Sequence, residues 1–155
     1  MSSENLFVYD YHMARDIISQ ICVKQYKRIK LGFISKVDFS FKGDGSQGFL
    51  CLEKGNSMID GVLYRMDLED IERVQKYIEL QYKTKRIICN VTIGERREEK
   101  AIVFVPSEKL KPILPDKRYY KLLCASYDEN RLEYGTLEKA LRNTLKRIYG
   151  DYRKG

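Results

Sequence analysis

The stretch Leu6-Phe7-Val8-Tyr9-Asp10-Tyr11-His12-Met13 constrains the fold more than any other part of this 155-residue chain. Leu6 to Tyr9 is an unbroken run of β-formers, the pattern of a strand buried on both faces. The run breaks into a short polar turn without glycine, and from Met13 helical spacing places Ile17 and Ile21 on one face. A strand feeding a turn at a helix N-terminus leaves backbone N–H groups unpaired. With the helix dipole, these form a receptor for a carboxylate or a developing oxyanion. The side chains in that turn therefore decide the functional reading.

Size and charge narrow the class. The length predicts one domain over residues 1–150, followed by a frayed basic tail at 151–155. No secretory signal pattern opens the chain and no apolar run approaches membrane-spanning length, which predicts a cytoplasmic protein with no membrane partner. The cysteines, at positions 22, 51, 89 and 124, form no CxxC pair, and the chain has one histidine. These residues predict no metal site; Cys51, Cys89 and Cys124 lie in apolar runs as core residues would. No cofactor is expected. The net charge of +7 admits nucleic acid as a partner, but acidic residues are interleaved with the basic ones and no RNA-binding aromatic signature occurs. A solvated surface is the better expectation.

Further along, Val37, Phe39 and Phe41 alternate as in a half-buried strand, with Asp38 and Ser40 on the wet face. A polar loop at residues 42–48 lacks phosphate-loop spacing. Phe49–Leu52 predicts a short strand, Gly55-Asn56 a turn, and Met58–Met66 the next strand. Asp67 is the expected N-cap of a helix with Asp70 in the capping-box position and Leu68, Ile71, Val74 and Ile78 on one face. The far end of that helix carries Gln75, Ile78 and Glu79. A hairpin follows, Ile87–Ile93 with Ala101–Val105, joined by a charged turn from Gly94 to Lys100 and stopped by Pro106. Helices are predicted over Arg118–Ala125, carrying Tyr119, Leu122 and Leu123, and from Thr136 to Gly150. The second has Leu137, Leu141, Leu145 and Ile148 as its apolar stripe.

Several ordered segments resemble the γ-glutamylcyclotransferase-like family, also called AIG2-like or butirosin-G-like, over roughly residues 6–145. Tyr9-Asp10-Tyr11-His12-Met13 stands where that family has a YGSNM-type loop. Gly32, Ile34, Val37, Phe39 and Phe41 follow its A-x-L-x-x-[FY]-x-L-x-F spacing, and Gly48 with Leu52 its G-x-x-x-I. Ile59-Asp60-Gly61-Val62-Leu63-Tyr64-Arg65-Met66 matches V-x-G-V-[LVI]-[YW]-x-[ML]. Pro115, Asp116, Tyr119, Leu122 and Leu123 match a closing P-S-x-x-Y-x-x-[IL]-[IL] segment, with Glu129 and Leu132 behind it. The resemblance implies an α+β fold, a small mixed β-barrel with flanking helices and a cavity at the rim. It implies a reaction in which the α-amino group of a γ-glutamyl amide attacks its own side-chain carbonyl. An enzyme glutamate takes the proton, loop N–H groups hold the anion, and 5-oxoproline leaves.

The departures from that family set the functional expectation. Asp10 replaces the loop glycine, and Tyr11 and His12 replace its Ser and Asn, so a carboxylate points at the anion site. Ile78 occupies the place of the family glutamate. Glu79 comes one residue later, a rotation of about 100° on a helix. Tyr82 and Tyr119 stand at positions where family tyrosines line the pocket, and His12 is a candidate acid or base. The leading expectation is a protein of this fold that lacks the standard reaction and binds a γ-glutamyl-like or other small anionic ligand in its rim pocket. The alternatives are an active γ-glutamyl-amine cyclotransferase with Glu79 as general base, and a basic nucleic-acid-associated module.

Overall fold

The computed structural model describes residues 2–26 and 29–150; the tail expected to fray, at 151–155, lies outside them. The buried run opens the fold as β1 (Ser3–Val8), with Leu6, Phe7, Val8 and Tyr9 all in the core. A 3-10 turn (Tyr11–Met13) leads into α1 (Arg15–Ile21), which buries Ile18 and Ile21 and leaves Ile17 half-buried. Then come β2 (Ile29–Gly43), β3 (Phe49–Asp67), α2 (Leu68–Ile78), β4 (Thr84–Ile93) and β5 (Arg97–Pro106). The two-residue β6 (Lys111–Pro112), α3 (Lys117–Glu129) and α4 (Gly135–Gly150) complete it.

The strands form one sheet in the order β3-β1-β5-β4-β2-β6, and β2 also pairs with β3, so the sheet closes into a ring. β1 runs parallel to β5 and the other pairings are antiparallel, giving the mixed α+β architecture expected. Two joints of the ring are thin, and at the first of them β1 meets β5 only at Leu6 with Ile102. β2 meets β4 at a single pair, Phe33 with Thr92, whereas β4 and β5 pair continuously from Thr84–Pro106 to Ile93–Arg97. The continuous pairing also shortens the expected hairpin turn to the residues around Gly94.

Several expectations fail, each for a physical reason. Gly55-Asn56 is not a turn between two strands: β3 runs unbroken through it, and these two residues are the unpaired extra residues of a register shift in which Val37 faces both Lys54 and Ser57. Lys36 there has φ +60°, a left-handed backbone that belongs to a bulge. Gly55 is needed for close approach, since a Cβ would lie 2.2 Å from an Asp38 carboxylate oxygen. Ser40 is fully buried rather than wet because α4 covers that face of β2. Thr144 Oγ1 accepts the Phe41 N–H at 2.8 Å, and Arg147 donates to Ser40 Oγ at 3.2 Å. Accordingly, α4 buries Leu137, Ala140 and Thr144, the small Ala140 and Thr144 allowing the helix to sit close, while Leu145 is exposed.

Asp70 does not close a capping box, and Asp67, although it is the N-cap residue, makes no side-chain cap hydrogen bond. The buried Asp70 carboxylate instead accepts the Val23 and Lys24 N–H groups at 2.8 and 3.2 Å and the Tyr26 hydroxyl at 2.6 Å. Burial pushes its carboxyl upward, but these hydrogen bonds outweigh it and hold the group below the usual carboxylate range. Asp70 thus ties the segment after α1 onto α2. Ile71, Val74 and Ile78 face the core as expected, each side chain contributing about 2 kcal/mol of burial, while Leu68 is exposed.

All four cysteines are free; Cys22 and Cys51 are buried, and Cys89 and Cys124 only half-buried. Among the described residues no helix is long and apolar enough to cross a membrane, and no group of His, Cys, Asp or Glu could hold a metal ion.

Candidate functional site

The loop after β1 folds inward on its own side chains. Tyr9 is buried, its hydroxyl donates to the Phe104 carbonyl at 2.7 Å, and its ring packs on Phe39 at 5.5 Å. Asp10 is the N-cap of the 3-10 turn. Its Oδ1 accepts the His12 N–H at 3.0 Å, and both its carboxylate oxygens lie 3.0 Å from His12 Nδ1. Asp10 and His12 are each only 2% exposed. Tyr11 stacks on the His12 ring at 4.1 Å, meets Tyr119 edge-on at 5.8 Å, and accepts a long hydrogen bond from Gln81 Nε2 at 3.4 Å. Met13 is buried, and its carbonyl accepts the Tyr64 hydroxyl at 2.7 Å.

The end of α2 closes over this loop. Ile78, 5% exposed, and Tyr82 join Phe7, Val8, Tyr9, Asp10 and Phe104 around a cavity of about 10 Å³. A space of that size holds about one water molecule. α2 ends at Ile78, and Glu79 is its exposed C-cap. The Glu79 carboxylate accepts the Thr84 N–H at 3.1 Å and the Thr84 hydroxyl at 3.0 Å, which fastens the α2–β4 connection. Tyr119, also buried, accepts the Leu50 N–H at 2.9 Å. Burial, reinforced by the nearby Asp10 charge, pushes the phenols of Tyr9, Tyr82 and Tyr119 well above their ordinary range. All three stay protonated at neutral pH and are not bases.

A larger opening lies between β2 and β4. A cleft of about 430 Å³ is walled by Val37 and Lys42 of β2, residues 51–54 of β3, Lys85 and Ile87 of β4, and the segment from Val105 to Leu110. Leu50 and Cys51 connect the two places: Cys51 lines the cleft, while the Leu50 N–H donates to Tyr119 and the Leu50 carbonyl accepts a long hydrogen bond from Tyr82. Burial pushes the Cys51 thiol up to about 12, so it is inert as a nucleophile. The charges around the cleft divide into two groups. Glu53 is paired with Lys42 at 2.8 Å and with Arg147 at 2.9 Å, and Glu108 with Lys83 at 3.5 Å. Although burial raises it, the Arg147 and Lys42 cations hold the Glu53 carboxyl below its usual range. Lys54, Lys85 and Lys109 have no ion-pair partner among the described residues.

No family model matches the sequence, and no curated protein matches it. Solved structures do match. A γ-glutamyl cyclotransferase superposes with a TM-score of 0.73 at 15% identity, covering 90% of this chain and 86% of that one. A yeast γ-glutamyl cyclotransferase specific to glutathione gives 0.62 at 10% identity, covering 94% and 99%. An AIG2-like protein from Mus musculus gives 0.56 at 12% identity, covering 77% and 84%. The chain has the γ-glutamylcyclotransferase fold.

Within the γ-glutamylcyclotransferase fold, the site residues named from sequence fall into two groups. Tyr9, Asp10, Tyr11, His12 and Met13 come together with Ile78, Tyr82 and Tyr119 in one buried cluster. Glu79 lies outside it, bonded to Thr84. A donor that a ligand anion could use, the His12 N–H, is taken by the protein's own Asp10 carboxylate. Sequence reasoning missed Gln81, which reaches Tyr11, and the three lysines of the cleft. No spacing rule joins residues 54, 85 and 109; only the ring topology brings them together.

Proposed function

We propose that the chain is a γ-glutamylcyclotransferase-fold protein that has lost the standard cyclotransferase reaction and binds a small anionic ligand at the rim of its sheet. That reaction needs free donors for the substrate anion, a carboxylate near its α-amino group, and room for a glutamyl unit. The observation that carries the reading is the filled cradle. Asp10 occupies the His12 N–H, and Ile78 helps reduce the remaining space to about 10 Å³. A glutamyl carboxylate arriving there would meet the Asp10 carboxylate, and like charges at that separation repel strongly. Ile78 accepts no proton. For Glu79 to serve as a base, it would have to release both hydrogen bonds from Thr84 and turn inward.

The test is incubation with a panel of γ-glutamyl amines and γ-glutamyl peptides, followed by quantification of 5-oxoproline. The expected result is release at the spontaneous rate for both wild type and Glu79→Gln. Turnover in wild type that disappears in Glu79→Gln would overturn the proposal and make Glu79 the general base.

A further inference from the structure

Building on that reading of a ligand-binding rim, we infer that the ligand sits in the cleft between β2 and β4. Its chemistry follows from the walls: a small organic anion with an apolar body and a doubly charged head, a phosphate or a dicarboxylate. The cleft lies where β2 and β4 run on unpaired past their single pair, Phe33 with Thr92, and a bulge at Lys36 and Val37 of β2 falls in the same stretch. Its volume of about 430 Å³ lies within the range of small-molecule sites. Leu52, Ile87, Val105 and Leu110 supply an apolar floor, and burying a ligand's hydrocarbon against them returns about 25 cal/mol per Å².

The charges select the head group. Lys42, Glu53 and Glu108 are already committed to protein partners, so they add little net field. Lys54 on β3, Lys85 on β4 and Lys109 after β5 are uncommitted among the described residues and reach the cleft from three different elements. Convergent cations over low-dielectric walls focus a positive potential into a concavity. Three ammonium groups match a head with two negative charges better than a single carboxylate, and lysine binds such groups as a point charge without bidentate geometry. A concave site of this size takes a small molecule and not a nucleic-acid backbone.

Calorimetric titration of the full chain with four probes tests the assignment: 1-naphthyl phosphate, naphthalene-2,6-dicarboxylate, neutral 1-naphthol and inorganic phosphate. At least one of the two organic dianions is expected to bind about tenfold tighter than both naphthol and inorganic phosphate; the tighter of the two identifies the head group. Lys54→Ala/Lys85→Ala/Lys109→Ala should weaken that binding at least about tenfold, with its salt dependence reduced. The control Lys117→Ala/Lys121→Ala/Lys146→Ala, which removes equal charge elsewhere, should leave it unchanged. Absence of saturable binding, naphthol binding as tightly as the dianions, or full affinity in the cleft variant would each overturn the inference. A 5-oxoproline assay on the same preparation separates the two readings. Turnover with intact cleft binding removes only the claim of lost chemistry, and no turnover without cleft binding removes only the cleft assignment.

Discussion

The cradle after β1 and the cleft between β2 and β4 are neighbours across Leu50 and Cys51, yet they are finished in opposite ways. In the cradle the Asp10 carboxylate is answered by His12, the Tyr9 hydroxyl by Phe104 and the Met13 carbonyl by Tyr64, with Ile78 lining the small void. At its edge the buried Gln81 Oε1 alone has no partner among the described residues of this site. In the cleft the acids are answered and three lysines are not. Buried polar groups cost free energy unless they are paired, so a region satisfied by its own residues has nothing left to offer a ligand. A surface that keeps unpaired cations over an apolar floor does. On the proposed reading, a ligand belongs where the protein has left its chemistry unfinished.

The sharpest way to break this contrast is His12→Ala. It would leave the Asp10 carboxylate buried with only a backbone N–H, and the unfolding free energy in urea should fall by about 3 kcal/mol. A negligible change would mean that Asp10 turns readily to solvent and that the cradle is not self-contained. Ile78→Ala comes next. Removing a buried side chain beside an existing void should cost about 2 kcal/mol and enlarge the 10 Å³ cavity, measured by urea melts and a crystal structure of the variant.

Asp70→Asn provides a reference carboxylate remote from both regions, with an expected loss of about 1.5 kcal/mol at pH 7. The sign with pH is fixed by its lowered folded-state pKa. The Asp70 contribution is complete above the unfolded value near about 4 and disappears as pH falls through the lower folded value. Wild type should therefore lose its advantage over Asp70→Asn on acidification, measured as the difference in urea midpoint between pH 7 and pH 3. The smallest effect is expected from Lys54→Ala/Lys85→Ala/Lys109→Ala. These exposed, unpaired lysines should change unfolding stability by no more than about 0.5 kcal/mol per site while binding is lost. A large destabilisation would make them structural and erase the contrast.

The fold was legible because its signals are local. The Leu6–Tyr9 run reads as a doubly buried strand and becomes one, and Ile71, Val74 and Ile78 face the core from their helical spacing alone. Gly61 in the Gly61-Val62-Leu63-Tyr64 segment also has a physical cause, since a Cβ there would lie 2.5 Å from the Phe7 ring. What could not be read depends on distant neighbours. Ser40 alternates correctly for a wet face until α4 arrives more than 100 residues later and brings Arg147 to its hydroxyl. Gly55-Asn56 has the composition of a turn, but the Asp38 side chain opposite is what requires the glycine. The resemblance already set Ile78 where a glutamate was expected, whereas the commitment of Glu79 to Thr84 could not be read from sequence. The cleft lysines were invisible because the ring closure that gathers them is set by strand order, not spacing.

The central claim, that the cradle is closed by the protein's own groups, is tested most directly by amide chemical-shift mapping. The ¹⁵N-labelled chain would be titrated with 5-oxoproline, the small anion that the standard reaction would release. The His12 and Met13 amides should stay fixed up to millimolar concentrations. A saturable shift of the His12 amide would mean that Asp10 yields its place to an incoming carboxylate, and the account would be contradicted.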